Sequence, residues 1–193
     1  MSAKRIWGAV LAGLFWLVPV GAWAIPLVSF HIADTDIRVG ETFTVDVVVD
    51  SVVDEILAFG FDVHFDSAWS ETAPPLIGPA FDFDDSSLFP NTDIAGSVFP
   101  GPGPVGDDIV LATLSFVSSS AGLFNLGIAS DLIDFNEGLI PVDLSAPVYD
   151  LTHSEQVTVN AAPVPEPASA ALVALGLAGV WFARRRRKGC VRG

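Results

Sequence analysis

Residues 41–50 read ETFTVDVVVD, and this stretch decides the fold. Every second side chain is apolar, namely Phe43, Val45, Val47 and Val49, whereas most of the intervening side chains are threonine or aspartate. Successive side chains of an extended chain point to opposite faces, so this period of two predicts a strand with one buried face.

The same alternation recurs on both sides of this stretch. In residues 57–66 the odd-numbered positions from Leu57 to Phe65 are apolar, and Asp62 and His64 are expected to point outward. Shorter alternating stretches are residues 28–32, 110–116, 124–128 and 157–159. No segment between residues 25 and 160 has a convincing helical period. The pattern predicts an all-β fold, a jelly-roll or immunoglobulin-like β-sandwich of about nine strands, in which residues 67–108 form the longest stretch without strands.

Charge is segregated along the chain. Eight of the nine lysines and arginines lie in the first five or the last ten residues, whereas residues 25–163 contain 22 acidic residues and one base, Arg38. Binding to nucleic acid or to anionic lipid requires several basic side chains on one surface. The central region is therefore excluded from both classes of partner.

Catalytic signatures are sparse. Cys190, the only cysteine, lies in the basic C-terminal segment, so no disulfide within the chain is possible. A serine-nucleophile elbow is absent, and His31, His64 and His153 lack metal-ligand spacing. Acidic residues are so numerous that carboxylate proximity alone says little. We expect a domain that is not an enzyme, with a hydrolase as the third functional alternative.

The N-terminal residues 1–24 have the three parts of a secretory signal peptide. Lys4 and Arg5 precede an apolar run, and Ala22 and Ala24 form an A-x-A cleavage site. The apolar run is about 15 residues, shorter than the roughly 20 that a membrane-spanning helix needs. Cleavage after Ala24 is predicted, and an N-terminal membrane anchor is the alternative.

The C-terminal region divides into three segments. Residues 161–167 form a proline-rich linker, residues 168–183 carry no charge and predict a short transmembrane helix, and residues 184–193 form a basic tail. The stop-transfer cluster consists of Arg184, Arg185, Arg186, Arg187 and Lys188. Because basic flanks stay in the cytoplasm, the acidic domain is expected outside the membrane.

This C-terminal arrangement resembles the PEP-CTERM sorting signal of Gram-negative bacteria. The resemblance rests on Pro165, Glu166 and Pro167, followed by the short apolar helix and the arginine cluster. It implies processing by an exosortase-type enzyme after transient membrane insertion. It also implies a destination at the cell surface or in an exopolysaccharide matrix. An ordinary single-pass membrane protein is the alternative.

The strand order in residues 25–160 resembles a cohesin-like domain. The resemblance rests on VGETFTV at residues 39–45, FGFDVHFDSA at residues 59–68 and LATLSF at residues 111–116. It implies a jelly-roll-like sandwich with non-catalytic binding activity. Cellulosomal cohesins bind a dockerin, but this chain contains no dockerin-like Asp-rich repeat, so the identity of the partner does not carry over.

Calcium is the one cofactor that the sequence supports. Asp82, Asp84 and Asp85 cluster in a predicted loop, and hard cations take several carboxylate oxygens. The spacing is not that of an EF-hand, and a solvated acidic surface is the alternative.

The resulting functional prediction is an exported, cohesin-like adhesion or scaffolding protein with exopolysaccharide or a matrix protein as partner. The alternative is an extracellular polysaccharide-binding module. Residues 25–163 contain one tryptophan, Trp69, which is expected to pack in the core, and one tyrosine, Tyr149. The aromatic platform on which many sugar-binding sandwiches rely is therefore missing.

Overall fold

The computed structural model describes residues 25–134, 136–163, 172–173 and 175–181. Residues 25–134 and 136–163 contain ten β-strands and one 3₁₀ turn at Ser86–Leu88. The strands are β1 (Leu27–Ile32), β2 (Thr42–Asp50), β3 (Ile56–Phe65), β4 (Trp69–Ile77), β5 (Phe83–Asp84), β6 (Ile94–Ser97), β7 (Ile109–Ser118), β8 (Gly122–Ala129), β9 (Gly138–Pro141) and β10 (His153–Val159).

The strands form two antiparallel sheets. The first has the order β1-β2-β7-β4, and the second has the order β10-β8-β3-β6-β5, with β9 also paired to β3. Strand β3 is the centre of the second sheet because β6 pairs with one edge, while β8 and β9 pair with successive halves of the other. The described domain is therefore the all-β sandwich that the alternation predicts.

The core fills the space between the two inner faces. Val45 and Phe116 from the first sheet are fully buried, as are Phe61 and Leu126 from the second. Trp69 is also buried, and its ring meets Phe43 edge-on at 5.1 Å between centroids, as expected from its position just after β3. Burying such aromatic and aliphatic side chains is the main favourable term for a domain without disulfides.

The expectation that residues 67–108 lack strands is wrong, because β4, β5 and β6 all lie there. Strand β4 contains Pro74 and Pro75 and almost no buried side chain, so its sequence shows neither alternation nor strand propensity. It pairs only with β7, at the edge of the first sheet, and its register shifts twice. Proline is tolerated at edges and bulges, which explains how this segment forms a strand.

The predicted register of β3 is wrong at its start. Leu57 was expected to face inward, but Ile56 is fully buried and Leu57 is only half-buried. The register of β3 against β9 shifts between Ile56 and Ala58, and one extra residue there exchanges the two faces. From Phe59 onward the alternation follows the prediction, with Phe61 buried and His64 exposed.

Candidate binding surfaces and the sorting segment

A shallow cavity of about 400 Å³ lies on the second sheet, along β3, β8 and β10. On the outer face, His64, Gly127 and Ser154 form one cross-strand row. Gly127 carries no side chain and Ser154 a small one, so the centre of the face is low while His64 stands exposed beside it. We call this surface the β3-β8-β10 face.

Hydrogen-bonded polar groups line that cavity, as Asp66 and Asn125 do, or lie on the same strands beside it. The Asp66 carboxylate accepts a hydrogen bond from the Asn125 backbone N–H at 2.7 Å, and Gln156 donates its side-chain N–H to Asn125 Oδ1 at 3.3 Å. The Asp62 carboxylate accepts from the backbone N–H of Asp93 at 3.2 Å. These bonds hold in place side chains that can donate hydrogen bonds to a partner or accept them from it. The geometry is suited to recognition rather than to proton transfer.

The other half of the second sheet is covered by a loop whose described residues are 131–134 and 136–137, here called the cover loop. A Cβ added to Gly60 on β3 would lie 2.0 Å from the Asn136 carbonyl oxygen, so only glycine allows this loop to pack so closely. Glu137 is buried under the loop and accepts from the Asp131 N–H at 2.5 Å and from the Thr92 hydroxyl at 3.3 Å. This loop leaves the β3-β8-β10 face as the exposed half of the outer surface of the second sheet.

The packing of this loop over β3 was not predicted from the sequence. Glu137 reads as one more acidic surface residue among 22, and its burial depends on contacts with Thr92, which is remote in the chain. Gly60 interrupts an otherwise bulky strand, and a glycine within a strand is a known sign of close backbone approach. That glycine was the one sequence signal available for this feature.

The three aspartates of the calcium hypothesis do not form a cluster. Asp84 Oδ1 accepts from the Ser86 N–H at 3.0 Å and from the Ser86 hydroxyl at 2.7 Å, while Asp85 Oδ2 accepts from the Ser97 hydroxyl at 2.5 Å. Asp82 is exposed. Among the described residues, no group of three or more histidine, cysteine, aspartate or glutamate side chains could hold a metal ion. Calcium binding therefore stays a hypothesis without a formed site.

The folded domain ends in a clamp at Asn160. Its N–H donates to the Ile37 carbonyl at 2.7 Å, its carbonyl accepts from the Val39 N–H at 3.0 Å, and its side-chain amide donates to Asp36 at 3.0 Å. Arg38 donates to the same Asp36 carboxylate at 2.6 Å. This hydrogen bond, supported by the opposite charge, lowers the pKa of Asp36 and raises the pKa of Arg38. The single base of the domain is thus used to fix its C-terminal end.

The predicted sorting residues lie mostly outside the described residues. This holds for Ala22 and Ala24, for Pro165, Glu166 and Pro167, and for the basic residues from Arg184 to Lys188. Within the predicted transmembrane segment, residues 172–173 and 175–181 are helical. Over the part of the chain that is described, no helix meets the length and apolarity required to cross a membrane.

Comparison with solved structures assigns the class of the folded domain. It is similar to the cohesin module from the Clostridium perfringens ATCC13124 family 33 glycoside hydrolase, at 12% identity and a TM-score of 0.55, over 72% of this chain and 98% of that one. It is also similar to a type III cohesin module from the cellulosomal ScaE cell-surface anchoring scaffoldin of Ruminococcus flavefaciens, at 17% identity and a TM-score of 0.50, over 72% and 88%. The fold is that of a cohesin module.

Family comparison assigns the C-terminal segment. Residues 163–188 match the model of the PEP-CTERM protein-sorting motif, which confirms the resemblance seen in the sequence. No curated protein matches the chain. The motif indicates export with transient membrane anchoring before processing, and none of these similarities indicates a catalytic family. The chain thus combines a cohesin-like fold with a C-terminal sorting motif that indicates export.

Proposed function

We propose that this protein is a non-catalytic adhesion or scaffolding module that an exosortase-type enzyme releases from the membrane into the cell-surface matrix. The observation that carries the proposal is the short distance between the clamp and the motif. Asn160 is the last residue held by the domain, and the motif begins at residue 163. A stably folded unit is thus placed directly against its sorting signal.

The length of the linker limits how the processing enzyme approaches. Five peptide steps separate Asn160 from Pro165, a reach of roughly 17 Å at about 3.4 Å per residue. The domain end formed by the clamp therefore lies next to the membrane before processing. The β3-β8-β10 face runs along the side of the sandwich and stays accessible in the anchored and in the released protein.

Binding at the β3-β8-β10 face explains what the released domain does. The face combines a low centre with fixed polar groups beside it, and the other half of the same sheet is covered by the cover loop. Interfaces of this type recognise a complementary protein or glycan surface without chemistry. The strongly acidic domain favours a partner surface that is neutral or basic.

Retention of the protein in the native matrix tests this role. His64→Ala combined with Asn125→Ala removes two side chains that line the cavity of the β3-β8-β10 face, and both are exposed, so folding should persist. The matched control is Thr42→Ala combined with Thr44→Ala, on the exposed outer face of the first sheet. We expect about tenfold more of the first variant in the culture fluid and no change for the control. Equal behaviour of the two variants would reject this face.

A further inference from the structure

A second cavity, of about 310 Å³, lies on the open side of the sandwich between β1 and β10. Strand β1 is the edge of the first sheet and β10 is the edge of the second, so neither has a strand partner on this side. Phe30, which lines the cavity, contacts the His153 ring edge-on, at 5.0 Å between ring centroids. Ile37, which also lines it, accepts a hydrogen bond from the Asn160 N–H of the clamp.

The walls of this cavity combine an apolar floor with a polar rim. Phe30 and Ile37 form part of the floor, and the rim includes Asp34, Glu155 and Thr158. Such a combination is characteristic of sites for small ligands, and the volume is at the low end of their range of about 300–1,000 Å³. The unpaired backbone edge of β10 adds N–H and C=O groups that can bond to hydroxyls.

Glu155 has an unusual position for an acidic residue. It shares the inner face of β10 with Val157 and Val159, both buried, yet it is exposed because the sandwich is open at this point. Within the described residues its carboxylate makes no hydrogen bond and no ion pair, although most acidic side chains near the strands have a partner. Asp34, on the facing segment, accepts only from the Asp36 N–H, at 2.9 Å.

The charge of the domain limits what this cavity can bind. Residues 25–163 carry 22 acids against one base, and that base, Arg38, is already bonded to Asp36. A uronic acid or a sulfated sugar would be repelled and would find no cation to pair with. A ligand with a positive charge and several hydroxyls would instead pair with Glu155 and Asp34 and hydrogen-bond to Thr158 and the β10 edge.

We propose that the cavity between β1 and β10 binds a protonated amino-sugar residue of a polysaccharide. The ammonium group lies against the Glu155 and Asp34 carboxylates, the hydroxyls bond to the rim, and the apolar side of the ring faces the floor. This site lies on the inner side of β10, whereas the β3-β8-β10 face lies on its outer side, and Gln156 borders both. The proposal does not depend on the sorting pathway.

Calorimetric titration of the full-length chain, purified in a detergent without sugar groups, tests this site. The probes are a fully deacetylated chitosan tetramer, the fully N-acetylated tetramer and a galacturonate tetramer, at an ionic strength of about 0.15 M, which screens distant charges. The variant Glu155→Gln removes one charge from the rim. The control Glu71→Gln removes one exposed charge from β4, in the other sheet.

We expect the chitosan tetramer to bind and the other two probes to bind at least tenfold more weakly. Glu155→Gln should weaken chitosan binding about tenfold, and Glu71→Gln should change it less than twofold. Equal losses in both variants would show general attraction to an acidic protein and would overturn the proposal. Equal binding of the acetylated tetramer would also overturn the proposal. So would a Glu155→Gln variant that binds chitosan with unchanged affinity but self-associates, because Glu155 would then serve to prevent strand pairing at the β10 edge.

Discussion

The inner faces of the two sheets are both apolar, whereas their outer faces differ. The first sheet, β1-β2-β7-β4, has strands of six to ten residues, and its outer surface is lined by short polar side chains such as Thr44 and Ser115. The second sheet mixes long strands with β5, β6 and β9, which have two to four residues. Its outer surface is half covered by a loop and half open.

Under the proposed function, this difference separates stability from recognition. Both inner faces supply the core, so both sheets contribute to folding. The irregular second sheet, by contrast, holds the loops and the low centre of the β3-β8-β10 face, because short strands leave room for loops to cross it. Four predictions test or refine this comparison, from the largest expected effect to the smallest.

The first prediction concerns the shared inner face. Phe61→Ala in the second sheet and Phe116→Ala in the first should each lower the free energy of unfolding by about 3–5 kcal/mol, because both rings are fully buried and leave a cavity. Urea titration of both variants measures the two values. A much smaller cost on one side would mean that the two sheets do not share one core.

The second prediction concerns the two halves of the outer face of the second sheet. Gly60→Ala should cost at least about 2 kcal/mol, because its Cβ would lie 2.0 Å from the Asn136 carbonyl oxygen. Gly127→Ala should cost less than about 0.5 kcal/mol, because the nearest atom to its Cβ is at 3.4 Å. The same urea titration compares them. Similar costs would show that Asn136 of the cover loop does not pack on β3.

The third prediction concerns Tyr149, which donates to Asp54 Oδ2 at 2.5 Å. This hydrogen bond, together with partial burial and the negative charge of Asp54, raises the pKa of Tyr149 above its ordinary value near 10. The stability from this bond is therefore fully present below pH about 10 and is lost as the pH rises through the higher folded-state pKa.

Absorbance of the phenolate measures that pKa directly, because the chain has one tyrosine. We expect Asp54→Ala to bring the native pKa down toward 10, whereas the neighbouring control Glu55→Ala, which removes an equal charge from an exposed position, should leave it raised. A native pKa equal to that of the denatured chain would contradict the hydrogen bond.

The fourth prediction concerns the calcium hypothesis for Asp82, Asp84 and Asp85, next to β5. Their carboxylates do not cluster, so calcium and equimolar magnesium should raise the melting temperature equally, through screening of a domain with 22 acids. Thermal melting at about 0.15 M salt measures both ions. A larger shift with calcium that Asp84→Asn removes would establish a site after all, since magnesium requires a tighter octahedral geometry.

Strands β1, β2 and β7 of the first sheet could be predicted from the sequence, whereas β4 was missed and the second sheet could be predicted only in part. Residues 42–47 and 112–116 alternate because each strand has one buried and one solvated face, but Val48 and Leu111 are also buried beside the register shift between Val47 and Val48. Strand β6 has three consecutive buried residues, Ile94, Ala95 and Gly96, because it lies between β3 and β5 and under neighbouring loops. A strand buried on both faces has no period of two.

The candidate surfaces were harder to predict than the fold. His64 could be placed outward by its period, but the low centre beside it arises from Gly127 and Ser154, which only the register of β8 and β10 brings together. The cavity between β1 and β10 is likewise formed by two strands from opposite ends of the domain, so the sequence alone did not predict it. The sorting motif, by contrast, could be predicted from the sequence, because Pro165, Glu166 and Pro167 and their flanking segments are continuous in the chain.

Replacement of Pro165, Glu166 and Pro167 together by alanine tests the central claim most directly, namely that this motif releases a folded binding domain from the membrane. The change removes the recognition tripeptide and leaves the apolar segment and the folded domain intact. Cell fractionation should find the variant in the membrane with its C-terminal segment uncut, while the wild-type protein reaches the medium or matrix without that segment. Release of the variant as efficiently as the wild type would contradict the account.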